Sequence, residues 1–477
     1  MDKQLIFDCI DSRAASFTDL SDRIWEFAEL SMEEYKSTAC YVDFLQREGF
    51  RVEENVAGIP TAFSASFGEG KPVIGLLAEY DALSSLSQKP EGLSHEPMVT
   101  GGNGHGCGHN LLGAGALAAA VAVKEMIEKG LLQGTVVLYG CPGEEGCAGK
   151  AFMARDGMFR DLDAALTWHP GDVNEITTGS NAACLQIEYT FTGIAAHAAG
   201  CPEMGRSALD AAELMNVGVQ FLREHTKRTD SIHYSFLDVG GPSPNVVQPT
   251  ARVLYMVRSD TVRNAKKLLA RVDNVARGAA LMTDTQVSIR QIDGTSNTLS
   301  NAVLEKVLYD NFKQVPMPQY SEGEWDLAEK LFDTYEKPDL PGEATKLFSD
   351  IHRFVEEKTE CGKRPVNDFL IPYVHSSLMS QGSTDVGDVS WLTPTAQFNA
   401  VTWPSCAPGH SWQVVSVGKS SFAHKGMLLA AKVLACTVAD LMEQPDLLAQ
   451  ARNEFAVTAR EGYDCPLGPE VKPTAVV

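Results

Sequence analysis

The chain has 477 residues, of which 44% are hydrophobic and 21% charged, so a globular protein with more than one hydrophobic core is expected. Its 62 acidic and 40 basic residues give a formal net charge of −22, which argues against a nucleic-acid-binding protein with a basic face. No stretch reaches the roughly 18 uncharged apolar residues of a transmembrane helix, so no membrane association is expected.

The cysteines and the N-terminus bear on the compartment. Eleven cysteines are scattered over the whole chain, unlike the dense, paired framework of a small secreted domain. The N-terminal MDKQLIFDCIDSRAASF carries an early acid and lacks the apolar core of a signal peptide. We therefore expect a cytoplasmic protein with reduced thiols.

The first part of the chain has the pattern of an α/β domain. Helical periodicity over residues 17–47 is followed by the strand-like TAFSASFG and PVIGLLAEYD. The loop NGHGCGHN leads into an Ala-rich helix, and TVVLYGC and AALTW follow as buried strands. This alternation predicts a mostly parallel sheet flanked by helices, with functional residues beyond the carboxyl ends of its strands.

A second pattern occupies residues 184–296. Strands and amphipathic helices alternate there in the order β-α-β-β-α-β, which is the ferredoxin-like order. We predict that this α+β module is inserted into the catalytic domain, which it divides into residues 1–183 and 297–477. Within the latter, residues 301 to about 365 are predicted to be an acidic, solvated helical insertion.

The loop NGHGCGHN can bind metal. Cys107 and His109 are good ligands for a borderline-soft ion such as Zn²⁺, and the glycines let the backbone fold around it. Considered alone, His105, Cys107 and His109 are equally compatible with a Gly-rich turn that caps a helix.

A pair of carboxylates follows the next buried strand, in CPGEEGC. Neighbouring side chains point in different directions, so one of Glu144 and Glu145 can bind a metal while the other reaches a water on it. His169 and His410 lie in loops at the matching edge of the sheet. Together five side chains suffice for two metals if one of them bridges: Cys107, His109, Glu145, His169 and His410.

The sequence resembles the aminoacylase/carboxypeptidase type of two-metal amidohydrolases, in the branch with indole-acetyl-amino-acid and p-aminobenzoyl-glutamate hydrolases. The resemblance covers nearly the whole chain and is carried by GHGCGHN, YGCPGEEG, LTWHP, GIAAHAAGCPEMGRSALDA, SPNVVQ, STDVGDVSW and HSW. It implies that Cys107 bridges two ions, that His109, Glu145, His169 and His410 complete their shells, and that Glu144 is the general base. It also implies that His105 is not a ligand.

The same resemblance assigns roles outside the metal cluster. It implies that the inserted module is a lid and dimerisation domain whose His197 stabilises the oxyanion in the opposite subunit. Asn245 and Arg258 would together hold the carboxylate of the leaving amino acid, and Asp81 would lie behind the metals.

Two departures from the family pattern stand out. Asn110 replaces the aspartate that usually follows the metal-binding histidine, which leaves open what orients His109. The common Arg-Ala-Asp-Met-Asp stretch is replaced by residues 77–81, Leu-Ala-Glu-Tyr-Asp.

The resemblance implies an enzyme that uses two divalent ions, Zn or Mn, to hydrolyse the amide bond of a small N-acyl amino acid. The preferred substrate is p-aminobenzoyl-glutamate, which would yield p-aminobenzoate and glutamate. The alternatives are another N-acyl amino acid or dipeptide, or a metal-containing subunit that supports a catalytic partner. The expected assembly is a homodimer or a heteromer with an A-type subunit.

Overall fold

The computed structural model describes residues 1–337 and 339–474. Its strands are β1 (Arg51–Glu54), β2 (Phe63–Glu69), β3 (Val73–Ala78), β4 (Gly134–Gly140), β5 (Ala164–Gly171), β6 (Glu175–Thr177), β7 (Ser180–Asn181), β8 (Ala183–Thr192), β9 (Ser231–Asp238), β10 (Thr250–Ser259), β11 (Gln286–Thr295), β12 (Met379–Ser380) and β13 (Thr395–Val401). Its α-helices are α1 (Gln4–Ser12), α2 (Ala14–Phe27), α3 (Tyr35–Arg47), α4 (His109–Glu128), α5 (Gly149–Arg155), α6 (Ala208–Arg223), α7 (Val262–Thr283), α8 (Ala302–Phe312), α9 (Glu322–Phe332), α10 (Glu343–Leu347), α11 (Ser349–Lys358), α12 (Val386–Ser390), α13 (Trp412–Val417), α14 (Ser421–Glu443) and α15 (Pro445–Thr458).

The larger sheet has seven strands in the order β1-β2-β4-β3-β5-β13-β6. The four central strands β4, β3, β5 and β13 run parallel to one another. Strands β1, β2 and β6 join antiparallel at the two edges. The expected mostly parallel sheet is therefore correct only for the centre, and the sheet as a whole is mixed. The near-continuous apolar runs of β3, β4 and β5 belong to strands covered on both faces, whereas the edge strands lack such runs.

The main core lies between this sheet and the helices α4 and α14, which pack against each other. Helix α4 is long and apolar enough for a membrane span, but 83% of its most apolar window is buried within the protein. Its Ala and Gly residues allow the close packing of a core helix, which accounts for the apolar run in the sequence.

A second, four-stranded sheet is formed in the order β11-β8-β10-β9, with every pair antiparallel. Helices α6 and α7 cover one face and form a separate hydrophobic core with it. The element order from β8 to β11 is the predicted β-α-β-β-α-β. Both chain connections to the larger sheet leave from the same end of this module, at the start of β8 and the end of β11.

The acidic segment after β11 is helical, as expected, but it is not simply solvated. Helix α8 buries Leu304, Leu308 and Phe312 in the main core, and α9 buries Leu331. Charges lie on the outer faces of these helices, whereas the inner faces pack, because an amphipathic helix needs a partner for its apolar stripe.

Candidate metal centre

The predicted ligands lie at or beyond the carboxyl ends of the parallel strands. His169 lies within β5, two residues before its end, Glu145 follows β4, and His410 follows β13. His109 is the first residue of α4, and Cys107 precedes it by two. Because parallel strands end at one edge of the sheet, side chains far apart in sequence meet there.

Two glycines explain how the Cys107 loop reaches its neighbours. Gly108 has φ +72°, and a Cβ on it would lie 2.9 Å from a Pro170 side-chain atom. A Cβ on Gly106 would lie 3.2 Å from the His410 Cα, and the Gly106 carbonyl accepts a 3.0 Å hydrogen bond from the His410 N–H. The glycines on both sides of Cys107 thus allow contact with the loops that carry the two other histidines.

The five predicted ligands form two groups that share Cys107. One group contains Cys107, His109 and His169, and the other contains Cys107, Glu145 and His410. Within each group the ligand atoms lie within 4.8 Å of one another. His105 lies outside both groups, where its Nε2 is 3.1 Å from the Ile24 carbonyl oxygen. Burial lowers the pKa of His105 to about 4, so its ring is neutral.

The distances between these atoms fit metal coordination. Cys107 Sγ and His169 Nε2 are 3.5 Å apart, and His410 Nε2 and Glu145 Oε2 are 3.4 Å apart. Two ligands of a tetrahedral Zn²⁺ lie about 3.5 Å apart when one is sulfur, and about 3.3 Å apart for nitrogen and oxygen. Among the described residues, the buried atoms His109 Nε2 and Glu145 Oε1 have no hydrogen-bond partner. A divalent ion therefore fits this set of residues.

Burial also means that the Cys107 thiol ionises only when a cation is nearby. It raises the pKa of Cys107 to about 12, with a further contribution from Glu145. The thiol is therefore protonated unless a nearby positive charge favours the thiolate, and a bound dication supplies such a charge.

Asp81 orients two of the ligands. Its Oδ1 is 2.9 Å from His109 Nδ1, so Asp81 holds a proton on Nδ1 and directs Nε2 toward the other ligand candidates. Its Oδ2 accepts hydrogen bonds from the Glu145 N–H at 2.9 Å and the Ser31 hydroxyl at 2.8 Å. Asn110 instead donates to the Ser21 hydroxyl and the Gly418 carbonyl. Asp81 therefore orients His109, and a carboxylate at position 110 is not needed for this purpose.

Glu144 lies on the same side of the cluster as His109. A carboxylate oxygen of Glu144, a ring nitrogen of His109 and a carboxylate oxygen of Glu79 all lie within 4.8 Å of one another. Burial raises its pKa well above the usual range, and Glu79, Asp385 and Glu145 add repulsion. None of the described residues donates a hydrogen bond to this carboxylate, so it is available to a bound water or substrate.

Sequence reasoning missed a buried ion-pair network behind the cluster. Lys150 Nζ lies 2.7 Å from Glu79 Oε1 and 2.5 Å from Asp385 Oδ1, and all three side chains are at most 3% exposed. Asp385 also accepts a 2.8 Å hydrogen bond from the Lys150 N–H. Two indications were available in the sequence: the position of Glu79, two residues before Asp81, and the position of Asp385 in STDVGDVSW.

The three residues predicted from the inserted module lie outside the ligand groups of their own chain. His197 and Asn245 are exposed and adjacent, since the Ala198 N–H donates to the Asn245 carbonyl and His197 pairs with Val246. Arg258 lies near the opposite end of the sheet, eight residues after the start of β10. At about 3.4 Å per residue, this separates the two ends by roughly 27 Å. Asn245, in the loop before β10, therefore lies toward the opposite end of that strand from Arg258, and the shared role of the two residues in holding a carboxylate stays a prediction.

Comparisons with known proteins identify the family. Residues 75–367 match the model of peptidase family M20/M25/M40. The chain is 42% identical to the B-type subunit of p-aminobenzoyl-glutamate hydrolase from Escherichia coli K12, covering 99% of this chain and 98% of that protein. It is 27% identical to the Xaa-Arg dipeptidase of Mus musculus, covering 95% and 91%.

A solved structure shares the fold. The crystal structure of a dinuclear metal-binding M20-family peptidase from Bacillus subtilis superposes with a TM-score of 0.51 at 16% identity, covering 90% of this chain and 99% of that one. The chain belongs to peptidase family M20/M25/M40 and is a hydrolase of that family.

Proposed function

We propose that this protein hydrolyses the amide bond of an N-acyl amino acid with two divalent ions, and that p-aminobenzoyl-glutamate is its substrate. The observation that carries the proposal is the pair of ligand groups sharing Cys107, with the Glu144 carboxylate beside them. The choice of substrate is supported by the 42% identity, over nearly the full chain, to one subunit type of a p-aminobenzoyl-glutamate hydrolase.

The residues have distinct tasks in this reaction. Divalent ions at such a site polarise the scissile carbonyl and lower the pKa of water. Glu144 accepts the proton of the attacking water and returns it to the leaving nitrogen. The thiolate of Cys107 favours zinc over manganese as the resident metal, because soft ligands prefer zinc.

We assign oxyanion stabilisation to His197 of a second subunit. His197 Nδ1 accepts hydrogen bonds from the Ala199 and Gly200 N–H groups at 3.3 and 3.0 Å, so the proton lies on Nε2. The Nε2–H group is then an outward-facing donor, suited to a developing negative charge. Asn245 accompanies it, while Arg258 binds the substrate carboxylate in its own chain. This division fits the positions of Asn245 and Arg258 toward opposite ends of β10.

The inserted module offers a surface for the second subunit. Strand β9 is a sheet edge that exposes Tyr234, Phe236 and Leu237. Helix α6 exposes Leu214, Val217 and Phe221, the last at 71%. An exposed apolar edge strand is suited to pairing with another chain, and a twofold axis would pair β9 with its copy. We therefore propose a homodimer, with residues 184–296 as lid and dimerisation domain.

Activity of the purified chain tests the substrate. Hydrolysis of p-aminobenzoyl-glutamate would be measured after loading with Zn²⁺ or Mn²⁺, beside N-acyl-aspartate, N-acyl-alanine and an Xaa-Arg dipeptide. Faster turnover of the dipeptide would favour the second candidate, suggested by the dipeptidase relative. No activity alone, but activity with an A-type subunit, would mean that this chain works only as part of a heteromer.

Mixing two inactive variants tests the shared site. His197→Ala and Glu144→Gln dimers are each expected to be inactive, while exchanging their subunits creates one site with both residues intact. Activity should then return on mixing. Mixtures that stay inactive, although subunit exchange is shown by mass, would place His197 outside the partner's site. Phe221→Asp serves as the control. It should dissociate the dimer, so adding it to both variants should prevent the return of activity on mixing.

We also place the enzyme in the cytoplasm. Ten cysteines of the described residues, those other than Cys147, form no disulfide bond, which suits a reducing compartment.

A further inference from the structure

Glu79 is a buried carboxylate beside the metal centre that none of the roles above uses. It follows the end of β3 and is 2% exposed. Its Oε1 binds Lys150, whereas Oε2 has no hydrogen-bond partner among the described residues. A buried carboxylate oxygen without a partner is costly, so it calls for a ligand that would pair with it.

The unpaired oxygen of Glu79 points at another unpaired atom. Oε2 lies 3.3 Å from His109 Nε2, the nitrogen that Asp81 directs toward the other ligand candidates. Neither atom has a hydrogen-bond partner among the described residues. Nitrogen and oxygen ligands of one tetrahedral Zn²⁺ are about 3.3 Å apart. A similar spacing, 3.4 Å, occurs between His410 and Glu145, a pair already placed in the other ligand group.

The carboxylate that carries this oxygen is held in place through its other oxygen, Oε1. The Lys150 ammonium contacts both Glu79 and Asp385. The position of Lys150 is fixed, because its backbone N–H also donates a hydrogen bond to Asp385. The network is buried, and both of its carboxylates contact the one ammonium. A carboxylate fixed by such partners is preorganised to bind a metal.

We propose that Glu79, through Oε2, joins His109 as a protein ligand of one of the two ions, and that Lys150 and Asp385 position it. The inference rests on the metal-dependent function proposed above and extends its ligand set from five residues to six.

The direct test uses the unaltered full chain loaded with Zn²⁺. In a crystal structure with anomalous data at the zinc edge, Glu79 Oε2 is expected within about 2.2 Å of one ion. A distance above about 3 Å from both ions would overturn the inference while leaving the two-metal function intact. Absence of any bound zinc would instead overturn the function and the inference together.

A variant tests the contribution to affinity. Glu79→Gln should weaken one of the two Co²⁺ sites by at least about tenfold and change its visible spectrum, while the other site is unaffected. Asp388→Asn is the matched control, because Asp388 is a buried carboxylate bound to Ser296 and Tyr463 rather than to the ligand groups. Two unchanged Co²⁺ affinities and an unchanged spectrum in folded Glu79→Gln would overturn the inference. If that variant does not fold, the zinc-loaded crystal structure decides.

Discussion

Glu144 provides the sharpest test of the mechanism, because its neighbour Glu145 is a chemically identical control with a different predicted role. In Glu144→Gln the water loses its proton acceptor and the leaving nitrogen its donor. General acid–base catalysis of this kind contributes about 10²- to 10⁴-fold. Each factor of ten in kcat corresponds to 1.36 kcal/mol, so the activation free energy is expected to rise by about 2.7–5.4 kcal/mol.

The same substitution should leave the fold and the metals in place. Burial and the repulsion from Glu79, Asp385 and Glu145 raise the pKa of Glu144, so its neutral form is favoured in the metal-free protein. Glutamine mimics that form in size and charge, and we expect the free energy of unfolding of the metal-free protein to change by less than about 1 kcal/mol. Glu145→Gln, by contrast, should lose metal, because it removes a ligand shared with His410.

The assay is kcat on p-aminobenzoyl-glutamate together with metal content by mass spectrometry, for both variants and the wild type. A folded Glu144→Gln variant that retains more than about a tenth of the wild-type kcat would exclude Glu144 as the general base. Loss of metal in Glu144→Gln with retention in Glu145→Gln would show that the two roles are reversed.

Three further outcomes follow from the same contacts. Cys107→Ser should weaken both metal sites, because Cys107 belongs to both ligand groups; loss of a single ion would contradict a bridging role. Removing the metals with a chelator should lower the melting temperature. Adding Zn²⁺ at about 1,000 times its Kd should raise the free energy of unfolding by about 4 kcal/mol. Equal melting curves with and without metal would contradict metal binding at this site. The pKa of Glu188 is lowered to about 2, first by its hydrogen bond with Arg252 and also by Arg290, so its ionised form stabilises the inserted module above the unfolded pKa near 4.5. After allowance for the exposed arginines, Glu188→Gln should cost about 1–2 kcal/mol at pH 7, and this difference in urea unfolding should vanish as the pH falls from about 4.5 to about 2.

The sequence by itself determined the central strands, the core helix and the ligand candidates. Hydrophobic runs identify β3, β4 and β5 because those strands are covered on both faces, and the Ala-rich run identifies α4. His169, Glu145 and His410 were predictable as a set because each lies at or after the end of a strand, and parallel strands bring such loops to one edge. The chemistry of Cys, His and Glu then indicated a metal without knowledge of any distance.

Only the tertiary structure decided which side chains act on those ligands. Lys150 meets Asp385 across 235 positions of the chain, and no local pattern encodes that contact. Asp81, not residue 110, orients His109, because the turn of β3 into its loop points that carboxylate at the imidazole. Asn245 is likewise separated from Arg258, because Asn245 lies in the loop before β10 and Arg258 lies near the end of that strand. Strand periodicity shows which residues share a face, but the pairing and direction of strands, which come from packing over long range, determine which residues meet.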